Sequence, residues 1–214
     1  MPQVYFIGGA PRVGKTILAM RVLRRHPMFA LSADTVRDML RGILKPLDAP
    51  ALFAIQSLAK HESAMASFLR QNPQESIQFQ NDESMIVWPS VEKLITSYLA
   101  DGQDVLIEGV EILPCNLAKV DYPYKVVFLG NTSVGHTNAM VEQAHTRPHD
   151  WMHDYVDGTI DAWAGLVRSF SEYIKSEADK YNMPYVEMHD ENFQQSLKDA
   201  EQILIGARSL GADR

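Results

Sequence analysis

The chain has 214 residues, 46% of them hydrophobic and 22% charged, which excludes a disordered polypeptide and leaves room for one sizeable core of about five βα units. A net charge of -7 argues against nonspecific binding to nucleic acid or to an anionic membrane. The single cysteine, Cys115, excludes an internal disulfide and a thiolate metal cluster. The opening residues show no signal-like apolar segment, so a cytoplasmic protein without membrane association is expected.

Val4 to Ile7 form a short apolar and aromatic run that predicts a strand. Gly9 then opens GAPRVGKT, a full match to G-x-x-x-x-G-K-[ST], and a helix-competent pattern over Lys15 to His26 follows, closed by Pro27. Strand, glycine-rich loop and helix N-terminus in that order turn successive backbone N–H groups toward an anion. The loop residues Gly9, Ala10, Pro11, Arg12, Val13, Gly14, Lys15, Thr16 and Ile17 are therefore the candidate nucleoside triphosphate site. Lys15 is placed to reach the β and γ phosphates, and the Thr16 hydroxyl to ligate Mg²⁺.

A second strand is expected at Phe29 to Leu31 or Ser32, followed by SADTVR, in which Ser32 or Asp34 can cap a helix starting near Thr35. Asp34 then stands at the carboxyl end of a strand, the edge on which open α/β sheets bind ligands. Arg37 falls on the first helical turn, where a cation opposes the macrodipole. An anionic ligand would explain it, and so would an ion pair with Asp34 or Asp38.

Gly42, Pro46 and Pro50 break up residues 41–52. Helical spacing predicts one helix from Ala51 to Leu69, a polar loop over 70–82, and a second helix from Glu83 to Leu99 with a late start or kink at Pro89. Residues 51–99 thus form a helical insertion that suits the wall of an acceptor site. Asp104 to Glu108 is a buried-looking strand, and Glu108 ends it where a second acidic group facing Mg²⁺, or the acceptor, would stand. Glu111 is a weaker candidate for the same role.

A short helix or turn is expected over Leu113 to Lys119, a fourth strand over Tyr124 to Leu129, and a helix over His136 to His145. The segment from Gln143 to Tyr155 holds His145, His149, His153 and Arg147, with spacing that straddles Pro148 and does not suit a compact zinc module. A mobile lid over 132–156 is expected instead, with Arg147 supplying charge to a transferring phosphoryl group. The longest helix should span Gly158 to Tyr181, with Arg168 as a second cation near the lid. Pro184 to Met188 should be the fifth strand and Phe193 to Ala207 the last helix, with the adenine near the turn between them and GADR frayed at the end.

GGAPRVGKT, SADTVRDMLRG and LIEGVEILP, in that order and with a helical insertion between the last two, resemble the P-loop small-molecule kinases of the adenylate-kinase-like group. Within it the chain looks like the kinase domain of 2-phosphoglycerate kinase, and more distantly like chloramphenicol phosphotransferase and the zeta-toxin kinases. The resemblance implies an α/β P-loop NTPase fold with a five-stranded parallel sheet in the order 2-3-1-4-5, one domain over 1–214, and transfer of the γ-phosphoryl group of ATP, with Mg²⁺, to a small hydroxyl acceptor. It implies a catalytic role for Lys15 and Asp34, acceptor binding by Asp34, Arg37 and Glu108, and metal binding by Thr16 and Glu108; the lid reading adds Arg147 as a catalytic cation and Arg168 as a candidate for acceptor binding. The chain departs from the family in carrying few lid arginines, with histidines in their place, which leaves the acceptor open. A GTPase is disfavoured because GNTSVG, not N-K-x-D, follows the fourth strand. A regulatory P-loop ATPase and a nucleotide or polynucleotide kinase are the competing expectations, the latter weakened by the acidic charge.

Overall fold

The computed structural model describes residues 2–206. The short final motif GADR and Ala207, expected to end the last helix, lie outside the described residues.

Three strands make the centre of the sheet because their residues are apolar on both faces, the pattern of a parallel sheet covered on each side. β1 (Val4–Gly9) lies between β3 (Val105–Glu108) and β4 (Tyr124–Gly130), all parallel, with Val4 opposite both Val105 and Tyr124. β2 (Phe29–Ser32) pairs with β3 and β5 (Tyr185–Glu187) with β4, giving the order β2-β3-β1-β4-β5. This is the expected parallel sheet and order. Its consequence is that Gly9, Ser32 and Glu108 all finish at one sheet edge, since Ile7 and Ser32 both lie opposite Glu108.

Helix α1 (Lys15–Arg25) packs with the C-terminal helix α9 (Phe193–Ile205), where buried Glu201 accepts from Arg21 at 2.6 Å and Arg25 at 2.7 Å. The long helix α8 (Asp157–Lys180) buries Ile160, Trp163, Phe170 and Ile174, the stripe expected from the sequence, against β4 and α5 (Pro73–Ala100). Trp88 of α5 reaches Phe6 of β1, with ring centroids 6.1 Å apart. Helix α2 (Ala33–Ile43) leads from β2 into the insertion.

The insertion differs from the expectation in three ways. The single helix expected over Ala51 to Leu69 is a 3₁₀ turn at Pro50–Phe53, then α3 (Ala54–Leu58) and α4 (Glu62–Gln71), because the extended backbone of His61 redirects α4 onto α8. The loop expected over 70–82 is helical. Pro73 opens α5 at the position where a missing N–H costs nothing, Gln74, Glu75 and Gln78 face water while Ser76 and Ile77 are buried, and Phe79 stacks on Phe68 at 5.6 Å. Pro89 neither starts nor interrupts α5, whose neighbouring residues Val87, Trp88 and Val91 are buried. Tertiary packing overrides the local breaker.

Further along, α6 (Pro114–Leu117) and α7 (His136–Thr146) fall within a residue or two of their expected places. Asp34 is not a cap: α2 starts at Ala33, so its carboxylate sits in the first turn.

Gly9 takes φ 126°, and a Cβ there would collide with the Leu129 carbonyl of β4, to which the next residue is bonded through Ala10 N–H at 3.1 Å. Gly9→Ala is expected to lower stability by about 3 kcal/mol in urea unfolding, from backbone strain added to the collision.

Candidate active site

The phosphate loop leaves β1 and returns as α1 through two left-handed turns, Arg12 at φ 63° and Gly14 at φ 98°. Gly14 is the residue before the first helical position, so the free N–H groups of the α1 N-terminus open into the loop. Lys15 is buried and its Nζ donates to the Ala10 carbonyl at 2.6 Å, closing the loop on itself. Burial lowers the Lys15 pKa, opposed by the charges of Asp34, Glu108 and Glu111.

A cavity of about 470 Å³ lies over this loop, large enough for a small ligand. Its floor is the loop itself, and one end is formed by Asp34, Glu108 and Val110 at the ends of β2 and β3. Its other walls are Arg147 and Trp151 from the segment after α7, and Met188 and Phe193 between β5 and α9. Thr16 Oγ1 and Glu108 Oε1 stand 3.4 Å apart. Both are hard oxygen donors, and a hydroxyl with one carboxylate is the kind of donor set that holds Mg²⁺ when substrate phosphates and water complete its shell. The residues present fit that ion.

Behind Asp34 lies a buried ion network. Arg37 Nη1 donates to Glu111 Oε1 at 2.9 Å and to Asp34 Oδ1 at 3.1 Å, and its Nε donates to Asp38 at 3.2 Å. Glu83 of α5 stands 3.9 Å from Arg37 and accepts from Arg41. Burial would lower the Arg37 pKa, but the surrounding carboxylates raise it. Burial raises Glu83 and Glu108, opposed by Arg41 and by Lys15 respectively. Glu111 is fully buried with Oε2 unpartnered; burial and the neighbouring Asp34 charge push it up to about 8, against the pull of Arg37.

The segment after α7 is tied to the loop. Arg12 Nη1 donates to Asp150 Oδ1 at 2.7 Å, both side chains nearly buried. Burial would raise Asp150, but the hydrogen bonds from Arg12 and the Met152 N–H outweigh it and hold its carboxyl below the usual range. Trp151 meets Trp163 of α8 edge-on at 5.2 Å. The histidines of this segment separate. His145 pairs with Asp157 at 2.7 Å, His153 bonds the Ala144 carbonyl at 3.0 Å, and no metal-holding group of three is found among the described residues.

No family model matches the chain. It is 24% identical over 217 residues to the 2-phosphoglycerate kinase of Methanopyrus kandleri, covering 98% of this chain and 64% of that protein. It is 25% identical over 193 residues to the 2-phosphoglycerate kinase of Methanothermobacter thermautotrophicus, covering 88% and 61%. The chain thus spans about three fifths of the length of these relatives. The sheet order 2-3-1-4-5, flanked by helices, is that of an α/β P-loop NTPase-like fold. Among solved structures, the dephospho-CoA kinase of Campylobacter jejuni is 13% identical with a TM-score of 0.46, over 96% of this chain and 99% of that one.

The structure brings Lys15, Thr16, Asp34, Glu108 and Arg147 to one cavity. Arg37 stands behind Asp34 rather than on the wall, and Arg168, half-buried on α8, is not among the residues that line it. Two participants, Glu83 and Asp150, escape the sequence, and a third, Glu111, is the weaker candidate there. Glu83 lies on the buried face of α5 with Val87 and Val91, so its i+4 and i+8 spacing was the available signal. Asp150 had none, since its partner Arg12 is 138 residues away. Glu111 was the second acid in EGVE and was ranked below Glu108, although it is the more buried.

Because Glu111 holds its proton more tightly folded than at its ordinary value of 4.5, the native state binds more protons between that value and about 8, and stability falls as pH rises through this window. Glu111→Gln, which mimics the protonated acid, is expected to flatten that fall in unfolding titrations across the window while leaving it below unchanged.

Proposed function

We propose that the chain is an ATP- and Mg²⁺-dependent kinase that transfers the γ-phosphoryl group to a hydroxyl of a small molecule. The observation that carries it is the convergence of Lys15, Thr16, Glu108 and Asp34 on one cavity over the phosphate loop. In this reading Gly9 to Ile17 cradle the triphosphate, with adenine toward Met188 and Phe193. Lys15 gives up its bond to Ala10 for the β and γ phosphates. Thr16 and Glu108 would hold Mg²⁺, which would supply positive charge to the phosphoryl group in transfer. Asp34 accepts the acceptor's proton as its oxygen forms the new bond to phosphorus and the bridge to ADP breaks.

The segment 132–156 serves as the lid. Arg147 faces the transferring group, and the Arg12–Asp150 pair holds the lid against the loop so that water is excluded. The 51–99 helices, expected as the acceptor-side wall, contribute no residue to the lining of this cavity; they stand behind Asp34, where Glu83 meets Arg37 and Arg41. The relatives named as 2-phosphoglycerate kinases support the reaction type, at an identity that leaves the acceptor to be found.

Incubation with γ-labelled ATP, Mg²⁺ and a small-molecule extract should yield a labelled phosphate ester. Label recovered only as free phosphate would instead mark a regulatory ATPase, and label on nucleotides or oligonucleotide ends a nucleotide or polynucleotide kinase. Lys15→Ala should cut turnover by about a hundredfold or more with the fold retained by circular dichroism, since it removes charge stabilisation present only in the transition state. Asp34→Asn should lower kcat by about a hundredfold while ATP affinity, measured by calorimetry, stays within about twofold.

A further inference from the structure

The cations beside Asp34 are already committed. Arg37 serves Glu111, Asp34 and Asp38, with Glu83 at 3.9 Å. Arg41 donates to the Leu52 carbonyl at 2.8 Å, to Glu83, and to Asp38 at 3.4 Å. Two guanidinium groups therefore answer four carboxyl groups, and the surplus stays negative even with Glu111 protonated. Lys15 is turned into the phosphate loop. Arg147 stands on the opposite wall, close enough to act on Asp150, the partner of loop residue Arg12. What this end of the cavity exposes is the Asp34 carboxylate, 45% accessible, with Glu108 beside it.

An anionic acceptor entering here meets carboxylates, and recruiting Arg37 would break its hydrogen bonds to Asp34 and Glu111 and leave the buried Glu111 carboxyl without a partner. A neutral hydroxyl compound suffers neither penalty, and a cationic one gains from the surplus. We propose that the phosphoryl acceptor is a hydroxyl compound with no phosphate or carboxylate of its own, and that a protonated amine near the accepting hydroxyl strengthens its binding. This rests on the kinase reading and makes Arg37 a positioning residue that braces Asp34, rather than a ligand for the acceptor.

The test is γ-phosphoryl transfer by the full chain, with ATP and Mg²⁺, to four probes of one carbon skeleton: 2-phosphoglycerate, glycerate, glycerol and serinol. The expected order of kcat/KM is serinol, glycerol, glycerate, with at least about tenfold between serinol and glycerate at low salt, as like-charge juxtaposition demands. That gap should narrow as salt screens the attraction. Faster transfer to glycerate or 2-phosphoglycerate overturns this inference and leaves the kinase reading standing. Release of free phosphate alone with all four probes and with the small-molecule extract, ATP binding intact by calorimetry, overturns both. Arg37→Lys supplies an independent readout: a bracing role predicts a loss in kcat with the order of probes unchanged, and selective loss of the anionic probes overturns the proposal.

Discussion

Arg37 is a guanidinium set among four carboxyl groups, and the site is built around holding it there. Its partners come from three segments: Asp34 and Asp38 from α2, Glu111 from the loop after β3, and Glu83 from α5. Asp34 and Asp38 stay in contact with water, but taking groups such as Glu83 and Glu111 out of it costs several kcal/mol per ion before any attraction is counted, so these two depend on the arginines. Removing one member strands another. The helices that bring Glu83 and Arg37 together are thereby locked in register with the sheet edge that carries Glu108.

The same logic extends across the cavity. Lys15 is a buried ammonium hydrogen-bonded to a carbonyl, and its charge is answered at longer range by Asp34, Glu108 and Glu111. A triphosphate would supply the charge that the loop's own carbonyl does not. Arg12, held in a left-handed turn, spends its charge on Asp150 and so couples the loop to the segment after α7. Loop and lid are thus joined by an ion pair, and loop and strand end by the Thr16–Glu108 hydrogen bond, polar links that suit a site that must rearrange around a charged ligand.

How much of this was legible in the sequence depended on the range of the interaction. The β1 strand, the phosphate loop and α1 are contiguous, and each residue's role follows from its neighbours; they stand as expected. The sheet order was legible through family resemblance, because register between β1 and β3 involves residues about a hundred positions apart. The polar stretch 70–82 misled because composition reports solvent exposure, and a long helix exposes one face as readily as a loop exposes its length. Asp34 and Glu108 were found because strand ends are marked locally. Glu83 and Asp150 were not, since what makes them matter is a partner on another element.

That division has a chemical reason. Triphosphate is recognised chiefly by backbone N–H groups and one lysine, which a short glycine-rich motif encodes completely. An acceptor is recognised by side chains converging from several elements, and their meaning changes with what already binds them. Arg37 in sequence is a cation on a first helical turn, open to an anionic ligand or to an ion pair with Asp34 or Asp38, and the ion pairs are what form. In the folded protein its charge is spent on carboxylates, and the patch it belongs to repels the ligand it seemed to invite. Charge available to a substrate is what remains after a protein has satisfied its own buried groups, and only the packed arrangement determines that remainder.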